Sequence, residues 1–152
     1  MSKRVKVQKN AMRIIVKAKY NAHTEPIFKK LGILKMGDLY RLRILVFYHK
    51  FVNEKLPSYF LHNFIFHNED YHNYTTRNRT NLTVPMLRHE LHRSTFRSAI
   101  ARTVNDTPPA IVEKTRTHSL NGFTYYVRLS MLDAYLVLCE IRDCYICNNN
   151  LT

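Results

Sequence analysis

Hydrophobic residues recur at helical spacing near the start of the chain. Over residues 3–19 they fall on one broad side of a helical wheel, at Val5, Ala11, Met12, Ile15 and Ala18. Basic residues recur at steps of three and four on the opposite side, at Lys3, Lys6, Lys9, Arg13 and Lys17. This pattern predicts an amphipathic helix with a packed apolar side and a continuous cationic stripe.

Three further helices are predicted before residue 67. Thr24 precedes Glu25-Pro26, and we expect its hydroxyl to cap a short helix that Gly32 ends. The stretch 38–55 contains no Gly or Pro and sets leucines at helical spacing, which predicts a long helix closed by Pro57. Residues 57–66 are rich in aromatic side chains and predict a short helix packed on the long one.

The middle of the chain changes character. Residues 67–84 are polar and rich in Asn and Thr, which favours a long ordered loop or an extended segment over a helix. Residues 86–104 have a helical pattern, although their β-branched and Ser/Thr positions leave an extended conformation open. The helical pattern ends at residues 106–109, and we expect at most one helical turn over 110–114.

The last predicted helix begins after Ser119, which is a suitable N-cap, and runs past Leu132. The sequence therefore predicts a mainly α fold: a small helical domain with a long polar loop or extended segment in the middle. We divide it into four regions. They are a basic helical region at 1–62, a polar connecting segment at 63–85, a C-terminal helical region at 86–147 and a tail at 148–152.

Charge adds a functional expectation to this fold. The 152 residues carry 24 Lys and Arg against 11 Asp and Glu, a net charge of +13. Residues 1–50 hold 13 basic and 2 acidic side chains, so +11 of that surplus lies in the first third. A surplus of one sign favours an anionic partner, most often nucleic acid. No apolar run approaches the length of a membrane span, so we expect no membrane partner.

Two classes of phosphate chemistry are not supported by the composition. The chain has only three glycines, Gly32, Gly37 and Gly122, and no two lie within one turn, which excludes a glycine-rich nucleotide cradle. The five aspartates are never adjacent, so the sequence does not predict a two-metal polymerase or nuclease site. We expect no cofactor.

Cysteine and histidine leave two alternatives open. Cys139, Cys144 and Cys147 lie within nine residues, but a tetrahedral zinc site lacks its fourth ligand. We interpret Cys139 as packed in a helix and the other two as free thiols, with a zinc site as the alternative, in an intracellular protein of the nucleus or cytoplasm. Five histidines crowd the middle third. We interpret them as surface residues, with a small metal-dependent nuclease as the alternative. They are His62, His67, His72, His89 and His92.

An ordered series of short motifs carries a family resemblance over roughly residues 7–130. The motifs are Gln8-Lys9, Arg13-Ile14-Ile15, His23-Thr24-Glu25-Pro26-Ile27-Phe28, Leu31-x-Ile33-Leu34, Asp38-Leu39-Tyr40, Leu56-Pro57 and His72-x-Tyr74-x-Thr76-Arg77. With them, the chain resembles the region after the catalytic domain in reverse transcriptases of non-LTR (jockey-like) retrotransposons. It departs from that family at residues 104–108, where the usual Trp of a Trp-Asn-x-Leu-Pro motif is replaced by Val104.

The resemblance implies a helical, thumb-like segment of an RNA-directed DNA polymerase that grips primer and template. The fingers and palm, which carry the catalytic aspartates in that family, have no counterpart here. We therefore expect a non-catalytic C-terminal fragment with no catalytic residue, whose partners are RNA, DNA or an RNA–DNA hybrid, and the missing fingers and palm. The expected phosphate contacts are Lys3, Lys6, Lys9, Arg13, Lys17, Lys29, Lys30 and Arg77.

A second hypothesis does not involve nucleic acid. In it the chain is a protein-interaction or structural remnant, and the amphipathic first helix docks on a partner protein or on the missing palm. The two hypotheses differ in what the cationic stripe touches.

Overall fold

The computed structural model describes residues 3–63, 67–68, 81–84 and 95–135. This part of the chain is mainly helical and contains no strand, which confirms the predicted fold class. An isolated antiparallel bridge joins His67 to Leu82. The helices are α1 (Lys3–Ile15), α2 (Glu25–Lys30), α3 (Met36–Val52), α4 (Ser58–Asn63), α5 (Phe96–Asn105), α6 (Pro109–Thr117) and α7 (Leu120–Asp133).

The predicted helices are present, but two details of the prediction are wrong. The expected single turn over 110–114 is the nine-residue helix α6, which begins at Pro109. Proline is favourable at that position because the first amide of a helix has no intrahelical partner. The Thr24 hydroxyl makes no capping hydrogen bond to α2. The predicted cap of α7 is confirmed, because the Ser119 hydroxyl accepts from the Gly122 amide at 3.3 Å.

The chain groups into two compact units. Unit 1 is formed by Met1–Tyr40 with Tyr125–Thr152, and unit 2 by Arg41–Thr124. Helices α3 and α7 therefore contribute residues to both units. Most of the predicted connecting segment, the tail, and Cys139, Cys144 and Cys147 lie outside the described residues, as does the first part of the helix predicted over 86–104.

The core of unit 1 forms where α2 meets the neighbouring loops. Ile27 and Phe28 of α2 are completely buried, and Met12 of α1 and Leu34 are nearly so. Gly32 ends α2 with a φ of +61°, a conformation in which a residue with a side chain is strained. The prediction that Gly32 ends this helix is therefore confirmed, because the backbone there has a conformation that favours glycine.

The core of unit 2 is built on α3. Ile44, Ile100 and Phe123 are almost completely buried. The ring of Phe47 makes edge contacts with Phe60 of α4 at 5.8 Å and with Phe96 of α5 at 5.0 Å. The expected packing of the short aromatic helix on the long one is therefore confirmed through Phe60.

A buried histidine joins α3 to the start of α7. The Nε2 of His49 donates to the carbonyl oxygen of His118 at 2.9 Å, and its ring lies 4.9 Å from that of Phe123. One turn later, the Asn53 amide donates to the carbonyl oxygens of His49 and Thr115 at 2.8 and 2.9 Å. These bonds satisfy carbonyl groups where α6 and α7 meet α3, which fixes the helices of unit 2 together.

The side-chain amide of Asn105 bonds to both backbone groups of Leu82. Its Oδ1 accepts from the Leu82 amide and its Nδ2 donates to the Leu82 carbonyl, both at 2.9 Å. Asn105→Ala removes both bonds at a half-buried residue, and we expect it to lower the free energy of unfolding by about 2 kcal/mol. Urea denaturation measures this. Asn121→Ala, at an exposed position of α7, is the control and should change stability by less than about 0.5 kcal/mol.

Candidate nucleic-acid interface

The candidate interface lies on α1 and the turn that follows it. Lys3, Lys6 and Lys17 are exposed, and Lys9 is half-buried. We call these four residues the basic surface. None of them forms an ion pair with the described residues. The first acidic residue of the chain is Glu25, so no carboxylate within α1 neutralises them.

The rotation of α1 is set by a polar side chain. Gln8 Nε2 donates to the Leu34 carbonyl at 3.0 Å, and Gln8 Oε1 accepts from the Met36 amide at 2.9 Å, where α3 begins. These bonds place Gln8 inward beside the buried Met12. The prediction that Ala11 and Ile15 lie on the packed side is therefore wrong, because both are exposed.

The end of α1 explains why Lys17 leaves the helix. Lys17 has a φ of +54°, its amide bonds to the Ile14 carbonyl at 3.1 Å, and the next amide, of Ala18, bonds to the Arg13 carbonyl at 2.9 Å. This pair of bonds is typical of a helix closed by a left-handed residue. The stripe predicted to continue along one helix to residue 17 instead passes into a turn, with Lys17 exposed.

Arg13 has a structural role. Its Nε donates to the Ala22 carbonyl at 3.0 Å and its Nη1 to Asn10 Oδ1 at 3.1 Å. The guanidinium also lies 6.0 Å from the centre of the Tyr20 ring. One donor that would bind phosphate therefore holds the turn at residues 20–22, and a second is used within α1.

The remaining predicted contacts differ from one another. Lys30 is exposed, as expected for a phosphate ligand. Lys29 instead donates to the Asp133 carbonyl at 3.4 Å and lies 4.0 Å from its carboxylate. Arg77 lies outside the described residues. Arg4 and Lys19 were not among the predicted contacts, and both are exposed. The sequence signal for these two residues was the high number of basic residues near the start of the chain, since neither falls on the regular stripe.

The acidic groups described in unit 1 are all engaged by partners within that unit. Glu25 pairs with Lys35, and Asp133 with Lys29. Asp38 Oδ2 accepts from the Tyr135 hydroxyl at 2.5 Å, and that hydroxyl accepts from the Lys35 amide at 2.9 Å. None of these carboxylates forms an ion pair with a residue of the basic surface.

The Tyr135 hydroxyl predicts how stability changes at alkaline pH. Burial, followed by the hydrogen bond to Asp38, raises the pKa of Tyr135 well above its ordinary value of 10.0. The folded state therefore holds its proton more tightly than the unfolded chain. The stabilisation is complete below pH 10 and is lost as pH rises further. Tyr135→Phe should lower stability by about 1 kcal/mol at pH 7 and reduce the loss above pH 10. Thermal denaturation at several pH values tests both effects.

The role assigned to Arg13 gives a separate prediction. Arg13→Gln removes the bond to the Ala22 carbonyl, and we expect it to lower the free energy of unfolding by about 1 to 2 kcal/mol. Lys6→Gln removes one exposed charge and should leave stability within about 0.5 kcal/mol of the wild type. Equal stability of the two variants in urea denaturation would contradict the structural role of Arg13.

Comparisons with family models, curated proteins and solved structures find no match for this chain. In the described part of the chain, no three His, Cys, Asp or Glu side chains cluster where they would hold a metal ion. The helices of that same part are too short or too polar to cross a lipid bilayer.

Proposed function

We propose that this chain is a non-catalytic protein that binds the backbone of RNA, DNA or an RNA–DNA hybrid through the basic surface on α1 and the turn that follows it. The observation that carries the proposal is the exposure of Lys3, Lys6 and Lys17 with no acidic residue beside them in the first 24 positions. Exposed ammonium groups attract phosphate without reading base identity. The role corresponds to that of the thumb-like segment that the sequence motifs resemble.

The arrangement of the acidic residues supports the same proposal. Glu25, Asp38 and Asp133 are bound to partners within unit 1. Since residues 1–24 also contain no Asp or Glu, positive charge predominates along α1, which favours association with a nucleic acid. Tyr20 adds an exposed aromatic ring close to Lys17 and Lys19 in sequence, where an unpaired base can stack.

Binding that depends on phosphate should be independent of sequence. The test is a fluorescence anisotropy titration of the full chain with labelled single-stranded RNA, DNA duplex and hybrid, each in two unrelated sequences, at low salt. We expect Kd values for the two sequences of each type to agree within about threefold. The absence of binding, or a preference above tenfold for one sequence, would contradict the proposal.

A protein-binding role is the second candidate, and apolar exposure on the same helix favours it. Val7, Ile14 and Ile15 are 68%, 76% and 63% exposed. Exposed aliphatic side chains grouped on one helix are typical of docking surfaces. Replacing these three residues with serine distinguishes the candidates, because nucleic-acid affinity should not change if the basic surface is the binding site.

A further inference from the structure

Unit 2 contains a cavity that is independent of the basic surface. Its volume is about 660 Å³, within the range of small-molecule pockets. Residues of α3, α5 and α6 line it, together with His67, Asn81 and Leu82. Part of the wall is apolar, formed by Leu82, Val104, Pro109 and Val112. Such a wall suits the hydrocarbon body of a ligand.

One polar group of the cavity lacks a partner. Tyr48 is only 5% exposed and its ring stacks on Phe51 at 6.3 Å. Its hydroxyl takes part in none of the hydrogen bonds made by the described residues. Burial raises the pKa of Tyr48, so the hydroxyl stays protonated and is available as a donor. The hydroxyl is not one of the buried side-chain atoms that lack a partner, so it is open to the cavity and can donate to a ligand oxygen there.

The other polar side chains of the wall are largely engaged. Asn105 is bound to the backbone of Leu82, and the hydroxyls of Thr107 and Thr115 donate to the carbonyls of Thr103 and Val112. These groups shape the cavity but offer a ligand little hydrogen-bonding capacity. Recognition therefore depends on Tyr48 and on the charged residues at the open side.

A cation lines the same cavity as the Tyr48 hydroxyl. Arg116 is exposed, lines the cavity and acts on Tyr48, whose pKa it lowers against the effect of burial. It forms no ion pair with the described residues. A guanidinium and a phenolic hydroxyl together provide donors for an anionic group, and guanidinium matches the two oxygens of a carboxylate.

Glu113 limits the charge of that anion. It lines the same cavity one turn before Arg116 on α6, and its carboxylate offsets the guanidinium. A doubly charged phosphate monoester would be repelled more strongly than a singly charged carboxylate. The local charge therefore favours a monoanion.

We propose that this cavity binds a small aliphatic carboxylate, with the carboxylate at Tyr48 and Arg116 and the hydrocarbon chain against Leu82, Val104 and Val112. The test is isothermal titration calorimetry of the full chain with octanoate, octan-1-ol and octyl phosphate. For a ligand of this size we expect a Kd on the order of 1 mM for octanoate. Binding of the alcohol and of the phosphate should be at least about tenfold weaker.

Two conservative variants locate the site. Tyr48→Phe removes only the hydroxyl from a buried ring and should weaken octanoate binding by about three- to tenfold. Arg116→Gln should weaken it by about tenfold. The controls are Tyr59→Phe and Arg102→Gln, which change exposed residues of unit 2 outside the cavity and should alter Kd by less than twofold.

Three results would overturn the proposal. They are the absence of octanoate binding, equal binding of octan-1-ol, and octanoate binding that Tyr48→Phe and Arg116→Gln leave unchanged. Equal or tighter binding of octyl phosphate would overturn the choice of a carboxylate. In the expected case, amide NMR shifts on titration also concentrate at Leu82, Val104 and Val112. None of these measurements depends on nucleic-acid binding, so the two proposals fail separately.

Discussion

Replacing Lys3, Lys6 and Lys17 with glutamate is expected to raise Kd for a nucleic acid by about 100-fold or more at low salt. Each residue is exposed and without an ion-pair partner among the described residues. A charge-assisted contact to phosphate contributes on the order of 1 kcal/mol or more, and three lost contacts exceed two factors of ten in Kd. Fluorescence anisotropy with a labelled duplex measures the change.

A matched variant separates the position of the charges from their number. Arg43, Lys55 and Arg102 are exposed residues of unit 2, and their replacement with glutamate changes the net charge by the same amount. We expect this control to raise Kd by less than about fivefold. An equal loss of affinity in both variants would mean that overall charge, and not the basic surface, governs binding.

Phe123→Ala should be the most destabilising of the proposed substitutions. The side chain is fully buried in unit 2, and its ring lies 4.9 Å from that of His49. Truncation removes a large apolar group and leaves a cavity, so we expect the free energy of unfolding to fall by about 3 to 5 kcal/mol. This is a large part of the stability of an ordinary domain. Urea denaturation followed by circular dichroism provides the measurement.

Tyr125→Ala is the control for this effect. Tyr125 lies two residues later in α7 and is 65% exposed. Its replacement should alter stability by less than about 0.5 kcal/mol, since an exposed ring contributes little packing. Similar losses from Phe123→Ala and Tyr125→Ala would contradict the burial assigned to α7.

The helices were largely predictable from sequence, because apolar spacing and the Pro and Gly signals are local. The long helix α3 and the Ser119 cap are examples. The rotation of α1 about its own axis could not be predicted. It depends on hydrogen bonds between Gln8 and the backbone of Leu34 and Met36, which are 26 and 28 positions away. The nine-residue α6 was missed because two prolines at its start indicated a stop, although proline is tolerated in the first turn.

For the candidate interface, the sequence predicted which residues are basic and exposed better than it predicted the contacts that those residues make. The run of unopposed lysines identified Lys3 and Lys6 correctly as exposed residues. No local pattern indicated that Arg13 would turn back to the Ala22 carbonyl, or that Lys29 would bond with Asp133, 104 positions later. The cavity in unit 2 left no sequence signal, since its wall combines residues from distant parts of the chain.

The most direct test of phosphate binding by the basic surface is the salt dependence of affinity for the full chain. Kd for one labelled duplex is measured at several salt concentrations, and log Kd is plotted against log salt concentration. With three to four phosphate contacts, we expect a slope of about 3, falling by at least 2 in the Lys3, Lys6 and Lys17 variant. A wild-type slope near zero, or no binding at low salt, would contradict the account.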